Sequence, residues 1–269
     1  MPELPEVQRV VDTLRPMLLG RSIGELLHLR DDMVSPGGTN LHALLPSRFV
    51  IDVTRRAKRI VITLHDGGRF FIHLGMTGQL KVVEAERERQ PHTHLIAPLD
   101  DGRELRFVDP RRFGEIRWLS DGDHRDLGPE PLTMRATVFG RQLARTRRAI
   151  KTALLDQKLV AGIGNIYADE ALFAARIHPL RVASALSAVE VRTLSRAIKR
   201  TLSRAIRAGG STLRDYVDAT GAAGSFQKLH RVYDRAGQKC IRCRSTIERI
   251  VLGGRSTCFC PSCQRESAG

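Results

Sequence analysis

Residues 59–74 read RIVITLHDGGRFFIHL, and this stretch decides what the first half of the chain can fold into. Two short β-rich runs, Arg59–Leu64 and Arg69–Leu74, flank Asp66-Gly67. An Asp-Gly pair supplies the left-handed backbone of a tight hairpin turn, so the stretch reads as two antiparallel strands. The same texture runs from about Arg21 to Leu119. Phe49–Val53 precedes the hairpin, Arg103–Val108 and Glu115–Leu119 follow it, and Asp101-Gly102 is a second hairpin signal. Short strands separated by turns predict an antiparallel sandwich or barrel.

Helical patterns lie on either side. Val7, Val10, Val11, Leu14 and Leu18 follow helical spacing. Pro5 suits a first turn, where its missing N–H is not needed. Pro16 should kink the far end and Gly20 close it. After the strands, residues 121–131 are rich in Gly, Pro and Asp and read as a linker. Thr133 is placed to cap a helix over Met134–Ala144, and further helices are expected over Ile150–Gln157, Ile166–Ala175 and Ser187–Ala208. Gly209-Gly210 stops the last, and a looser stretch, Asp218–Ser225, follows. The resulting division is a domain over 1–120, a linker over 121–131, a helical domain over 132–228 and a small module over 229–269.

Charge narrows the partner. The 269 residues carry 44 Lys and Arg against 29 Asp and Glu, a formal net charge of +15. The arginines recur in clusters, Arg55-Arg56, Arg111-Arg112 and Arg147-Arg148 among them, so the charge is not one basic tail. A polyanion, nucleic acid or an acidic membrane, is the natural partner. No apolar run is long enough to span a bilayer, and nothing before Arg9 resembles a signal peptide.

All five cysteines lie after residue 239. Cys240-x2-Cys243 and Cys260-x2-Cys263 are separated by sixteen residues, which is four-thiolate zinc spacing with each pair on its own knuckle. Between them Ile247–Thr257 can form a hairpin with Gly253-Gly254 at its tip. Cys258 is the odd one out and reads as a small apolar filler. Metal in place of disulfides implies a reducing compartment.

The opening MPELPEV carries chemistry if Met1 is removed. Pro2 then offers a secondary amine, and an α-amino group has a pKa of about 7.7–8.0, so a good fraction is neutral and able to attack an electrophilic carbon. Glu3 is an adjacent carboxyl able to act as an acid, Glu6 lies one helical turn on, and Lys58 in Arg55–Arg59 is a second candidate amine. The bland alternative is a helix start whose glutamates favour the positive end of the dipole.

Six pieces, in order, resemble the formamidopyrimidine-DNA glycosylase family. They are MPELPEV with Arg55-Arg56-Ala57-Lys58-Arg59, His73–Gly78, Asp109–Gly114, Leu127–Pro131, Lys158–Ala168, and Arg255-Ser256-Thr257 with Cys260–Gln264. The resemblance implies an α+β multidomain fold: an N-terminal helix with an antiparallel β-sandwich, a helix–two-turn–helix domain and a C-terminal zinc-ribbon hairpin. It implies a bifunctional enzyme that removes oxidised purines from double-stranded DNA and then cleaves the strand by β- and δ-elimination. Pro2 would be the nucleophile, Glu3 the acid and Glu6 a positioning group. Lys58 would donate a proton and contact phosphate, and Arg255 would serve the second elimination.

Excision takes the base out of the stack, and the gap needs a filler. Met76, Arg111 and Phe113 match the family's void-filling residues. Asn165, Lys158, Arg147 and Lys151 are expected to contact the DNA backbone, and His92 matches a family histidine that touches DNA. One structural zinc held by Cys240, Cys243, Cys260 and Cys263 is the only cofactor implied. The protein would be a monomer, bacterial, cytoplasmic and nucleoid-associated, with no membrane partner. Residues 218–227 would cover the flipped base, but Ala222, Ala223 and Ser225 depart from the usual lysine, proline and tyrosine. Competing readings are an oxidised-pyrimidine glycosylase of the endonuclease VIII type and a non-catalytic zinc-ribbon protein that binds nucleic acid.

Overall fold

The computed structural model describes residues 1–119, 124 and 126–266. The residues form two compact units: 1–123 with 208–225, and 124–207 with 226–269. Part of the expected linker, residues 121–123 and 125, lies outside the described residues.

The first unit opens with α1 (Leu4–Leu18), whose Val7, Val10, Val11, Leu14 and Leu18 are all buried. Strands β1 (Ser22–Ile23), β2 (His28–Leu29) and β3 (Val34–Ser35) follow, then a single helical turn α2 (Leu41–Leu44). The longer strands are β4 (Arg48–Arg56), β5 (Arg59–Leu64), β6 (Arg69–His73), β7 (Gln79–Glu84), β8 (Thr93–Pro98), β9 (Arg103–Val108) and β10 (Glu115–Leu119). They make a six-stranded sheet, β1-β4-β5-β6-β10-β3, and a four-stranded sheet, β2-β8-β9-β7. The 59–74 stretch is a hairpin, with Arg59 opposite His73 and Thr63 opposite Arg69. One pairing departs from the expected antiparallel pattern: β3 runs parallel to β10. Ile60, Ile62, Phe70 and Ile72 from one sheet share a core with Leu80, Leu95, Leu105 and Phe107 from the other, and α1 packs into the same core.

The second unit is helical: α3 (Ala136–Leu143), α4 (Ile150–Leu155), α5 (Asn165–Ala175) and α6 (Ala188–Arg207). Thr133 does not cap α3; Arg135 stands at that position. A hairpin closes the unit, β11 (Glu248–Leu252) with β12 (Arg255–Phe259). The cysteine module is not a body of its own. Cys240, Ile247, Cys258 and Cys260 pack around Phe173 of α5 and Val232. A segment too short for a core of its own borrows one from a helix.

The other difference concerns 208–225, expected with the helices but grouped with the sandwich. The reason is a set of anchors: Ser211 on Glu6, Asp218 on Arg9, and Tyr216 and Ala219 in the sandwich core.

Candidate active site and metal centre

In the first unit the site forms around the start of α1. Pro5 sits in the first turn, where no N–H is required. Glu3 and Glu6 close a capping box, with the Glu3 N–H donating to Glu6 Oε2 at 2.9 Å. Glu6 is 1% exposed, and its Oε1 accepts the N–H of Ser211 at 2.7 Å. Gly210 makes this approach achievable: it has a φ of +80°, and a Cβ there would stand 2.8 Å from Glu6 Oε1. The Tyr216 hydroxyl lies 3.1 Å from the carbonyl oxygens of both Glu6 and Gly209. Nothing in the sequence flagged Tyr216, because one of its partners, Glu6, lies on a helix 210 residues away.

Pro2 and Glu3 are both buried. Burial lowers the pKa of the terminal amine on Met1 below its ordinary value; Glu3 and Glu6 oppose this, while Lys58 and Arg111 add to it. These side chains are therefore close enough to act on the amine electrostatically. Lys58 arrives on the two-residue turn between β4 and β5, where Arg56 faces Arg59. It is 7% exposed. Ala57 beside it has a φ of +55°, a left-handed conformation costly for alanine. Arg55 clamps the turn, donating to the Ala57 carbonyl at 2.9 Å and to Gln8 Oε1 at 2.8 Å.

Two loops carry the proposed wedges. Met76 and Phe113 are exposed, at 41% and 54%. Isolated core packing is therefore not their role. The Arg111 guanidinium lies 4.7 Å from the centre of the Phe113 ring. The loops touch through backbone: a Cβ on Gly75 would stand 2.4 Å from the Phe113 carbonyl carbon. Asp109, fully buried, organises both. It accepts from the Thr77 hydroxyl at 2.5 Å, the Gly114 N–H at 2.8 Å and the Arg111 N–H at 3.3 Å. The sequence offered Asp109 only as part of a motif, without a role. His92 is exposed with a φ of +63°, and its carbonyl accepts the Asp109 N–H.

The second unit carries the remaining residues. Gln157 shapes the turn before α5: its amide donates to the carbonyls of Leu155 and Ile163 and accepts from the Gly162 N–H. Asn165 opens α5 and donates to the Ser256 carbonyl at 3.0 Å. Arg147 and Lys158 are exposed. Lys151 corrects an expectation. It is 0% exposed, with its ammonium 2.5 Å from Asp169 Oδ1 and donating to the Ser256 carbonyl at 3.0 Å. An ammonium enclosed this way cannot meet a DNA phosphate. Asp169 Oδ2 also accepts the Cys258 N–H at 2.9 Å. Burial raises the Asp169 pKa to about 7, against the opposing pull of Lys151. Lys151, Asn165 and Asp169 thus grip the foot of β12, one to three residues from Arg255. Arg255 itself is exposed, just after Gly253-Gly254, both at positive φ.

The sulfurs of Cys240, Cys243, Cys260 and Cys263 lie within 4.8 Å of one another. The Cys243–Cys260 separation is 3.4 Å and Cys240–Cys263 is 3.9 Å. A tetrahedral zinc with Zn–S bonds of about 2.3 Å places sulfurs about 3.8 Å apart, whereas a disulfide requires about 2.0 Å. The four sulfurs fit the metal. Cys258 stays outside the group, buried in the local core as expected of a filler.

Comparison with known proteins agrees along the whole chain. Residues 1–116 match the formamidopyrimidine-DNA glycosylase N-terminal domain, 127–217 its H2TH domain, and 237–265 the zinc finger found in FPG and IleRS. The formamidopyrimidine-DNA glycosylase of Chloroflexus aurantiacus is 45% identical, covering 98% of each chain. That of Roseiflexus sp. is 46% identical, covering 98% of this chain and 100% of its own. The crystal structure of MutM (FPG) from Thermus thermophilus superposes with a TM-score of 0.88 at 42% identity, covering 99% of this chain and 100% of that one. A Lactococcus lactis FPG mutant, solved in complex with Fapy-dG containing DNA, gives 0.91 at 33% identity over 98% of this chain and 100% of its own. The chain belongs to the formamidopyrimidine-DNA glycosylase family.

Proposed function

We propose that this protein acts as a monomer on double-stranded DNA, excises oxidised purines (8-oxoguanine and formamidopyrimidines) through its N-terminal amine, and then cleaves the strand. The observation that carries this reading is the start of the chain: a partly buried amine within the fields of two carboxyls, Glu3 and Glu6, and two cations, Lys58 and Arg111. With Met1 removed, the amine is that of Pro2. Burial favours its neutral, nucleophilic form. The Pro2 nitrogen attacks C1′ of the damaged nucleotide, the glycosidic bond breaks, and the base leaves with a proton. Glu3 protonates the sugar ring oxygen, the ring opens, and an iminium joins Pro2 to C1′. Loss of a C2′ proton expels the 3′ phosphate, and a second elimination expels the 5′ phosphate. Water then hydrolyses the iminium and restores the amine.

Lys58 serves as proton donor and phosphate contact in these steps, and Arg255 supports the second elimination. Glu6, its carboxylate fixed by Ser211 and Glu3, positions the first turn. Met76, Arg111 and Phe113 fill the gap left by the flipped base. The complexes of the Lactococcus lactis relative with Fapy-dG DNA and with abasic-site DNA support this substrate class. Zinc supplies structure only; its four thiolates leave no open position for chemistry.

Borohydride trapping tests the proposal. A duplex carrying 8-oxoguanine opposite cytosine should yield a covalent protein–DNA band that maps to Pro2, and one residue added before Pro2 should abolish the band while sparing binding. A band at a lysine moves the nucleophile. No band from protein with intact DNA binding and Met1 removed sinks the catalytic reading.

A further inference from the structure

The second unit contains a cavity of about 250 Å³ that none of the roles above uses. Its wall carries Arg200 and Arg204 of α6, Arg231 from the segment leading into the cysteine module, and Arg242 from the first knuckle. Ala197, Arg200, Thr201 and Arg204 are spaced i, i+3, i+4, i+7, so they line one face of α6. Like charges at i and i+4 destabilise a helix, and here two further guanidiniums converge on the pair. Among the described residues none of the four is in an ion pair with a carboxylate. Glu170 acts on Arg231 at a distance, but its Oε1 already accepts three backbone N–H groups, those of Arg231, Val232 and Tyr233. Burial, then the charge of Arg204, holds the Arg231 guanidinium below its ordinary pKa, with Arg242 and Arg200 adding to the effect.

The cavity is also preorganised. Arg242 donates to the Phe173 carbonyl at 2.7 Å and its guanidinium lies 4.3 Å from the centre of the Phe173 ring, so its fork is held in place. Guanidinium forks match the oxygen geometry of phosphates and bind them through paired, charge-assisted hydrogen bonds.

We propose that this cavity binds a small, multiply charged phosphate anion of the pyrophosphate kind. Charge selects it. The cavity, about 250 Å³ and open to solvent on one side, has room for several waters or a small anion at the four guanidiniums. Two linked phosphates fit within it. A DNA phosphodiester brings a single charge to four guanidiniums, and a pyrophosphate brings several. The cavity also stands apart from the start of α5. Ala174 on its wall is nine residues beyond Asn165, about 14 Å along the helix axis.

The test is calorimetric titration of the full-length zinc-loaded protein with sodium pyrophosphate, beside the double variant Arg200→Ala/Arg204→Ala. One molecule should bind per chain, and the variant should bind at least about tenfold more weakly, since each charge-assisted bond is worth about a factor of ten or more. Arg204→Lys keeps the charge and loses the fork, so it should fall between the two. Zinc extraction by the titrant would give the same heat in every variant, so the difference between proteins reads the cavity alone. Circular dichroism without anion checks that the variants fold; if the double variant does not, the Arg204→Lys affinity decides. Equal binding by sulfate at matched ionic strength would mean an adventitious ion only and overturn the proposal. Stoichiometric displacement of pyrophosphate by undamaged duplex would assign the cavity to DNA and overturn it too.

Discussion

Two hairpin turns each deliver one cation, and they do so by opposite means. In the sandwich unit, Lys58 sits on a two-residue turn, 7% exposed, beside an alanine held at a φ of +55°. In the helical unit, Arg255 follows Gly253-Gly254, whose positive φ angles are natural to glycine, and is exposed. The first turn is positioned from within, by backbone strain and the Arg55 clamp. The second turn is unstrained, and its foot is fixed by Lys151 and Asn165 on the Ser256 carbonyl and Asp169 on the Cys258 N–H. In the proposed reaction, Lys58 as a proton donor needs one exact place. In the same proposal, Arg255 reaching for a phosphate needs a firm base and a long reach.

The comparison breaks hardest at the metal. A chelator that strips zinc removes binding energy that reaches about 10–16 kcal/mol in finger peptides. The β11–β12 hairpin should lose its amide-exchange protection, and DNA affinity should fall with it. The β4–β5 hairpin should keep its protection; loss there as well would show that the two turns are not independently built. Next in size is Lys151→Met. It leaves Asp169 buried without its cation, a loss of about 3–5 kcal/mol, read as a lower midpoint in chemical unfolding of the helical unit. If Lys151 were instead a phosphate contact, the variant would weaken DNA binding and reduce its salt dependence while leaving stability intact. Arg55→Ala is smaller. It removes the bonds to Ala57 and Gln8 and should lower the stability of the sandwich unit by about 1–3 kcal/mol, with strand cleavage falling further than DNA binding.

How much of this was legible in the sequence depends on range. The β5–β6 hairpin was plain because its turn signal is local: Asp66-Gly67 lies between two β-rich runs. The zinc site was plain for the same reason, two knuckles each complete within four residues. β8 was not expected. Its sequence, Thr-His-Leu-Ile-Ala-Pro, lacks alternation because five of its six residues are buried and it pairs on both sides, with β2 and β9. Nor was the return of 208–225 to the sandwich. That rests on the Glu6 carboxylate meeting the Ser211 N–H, 205 residues apart, and on a glycine that read simply as a helix stop. Lys151 read as a DNA contact because a lysine in a basic protein ordinarily faces solvent. Its partner, Asp169, lies on the next helix, where no local pattern reveals it. Pro2, Glu3 and Glu6 stood out as a motif, whereas their burial and its effect on the terminal amine did not.

The smallest change is the most pointed. Alanine at a φ of +55° carries roughly 1 kcal/mol of strain that glycine would not. Ala57→Gly relieves that strain but enlarges the entropy of the unfolded chain by a comparable amount, so net stability should shift by less than about 1 kcal/mol in either direction. Stability is therefore the wrong readout. If the strain serves only the fold, strand cleavage by the glycine variant should equal that of the parent. If the alanine methyl and its constrained backbone hold the Lys58 ammonium where a proton must be delivered, single-turnover β-elimination should slow while lesion binding stays unchanged. A residue that stores strain beside a buried lysine should show itself in that rate. The same experiment on the other hairpin has no counterpart, because Gly253 and Gly254 carry no strain to release.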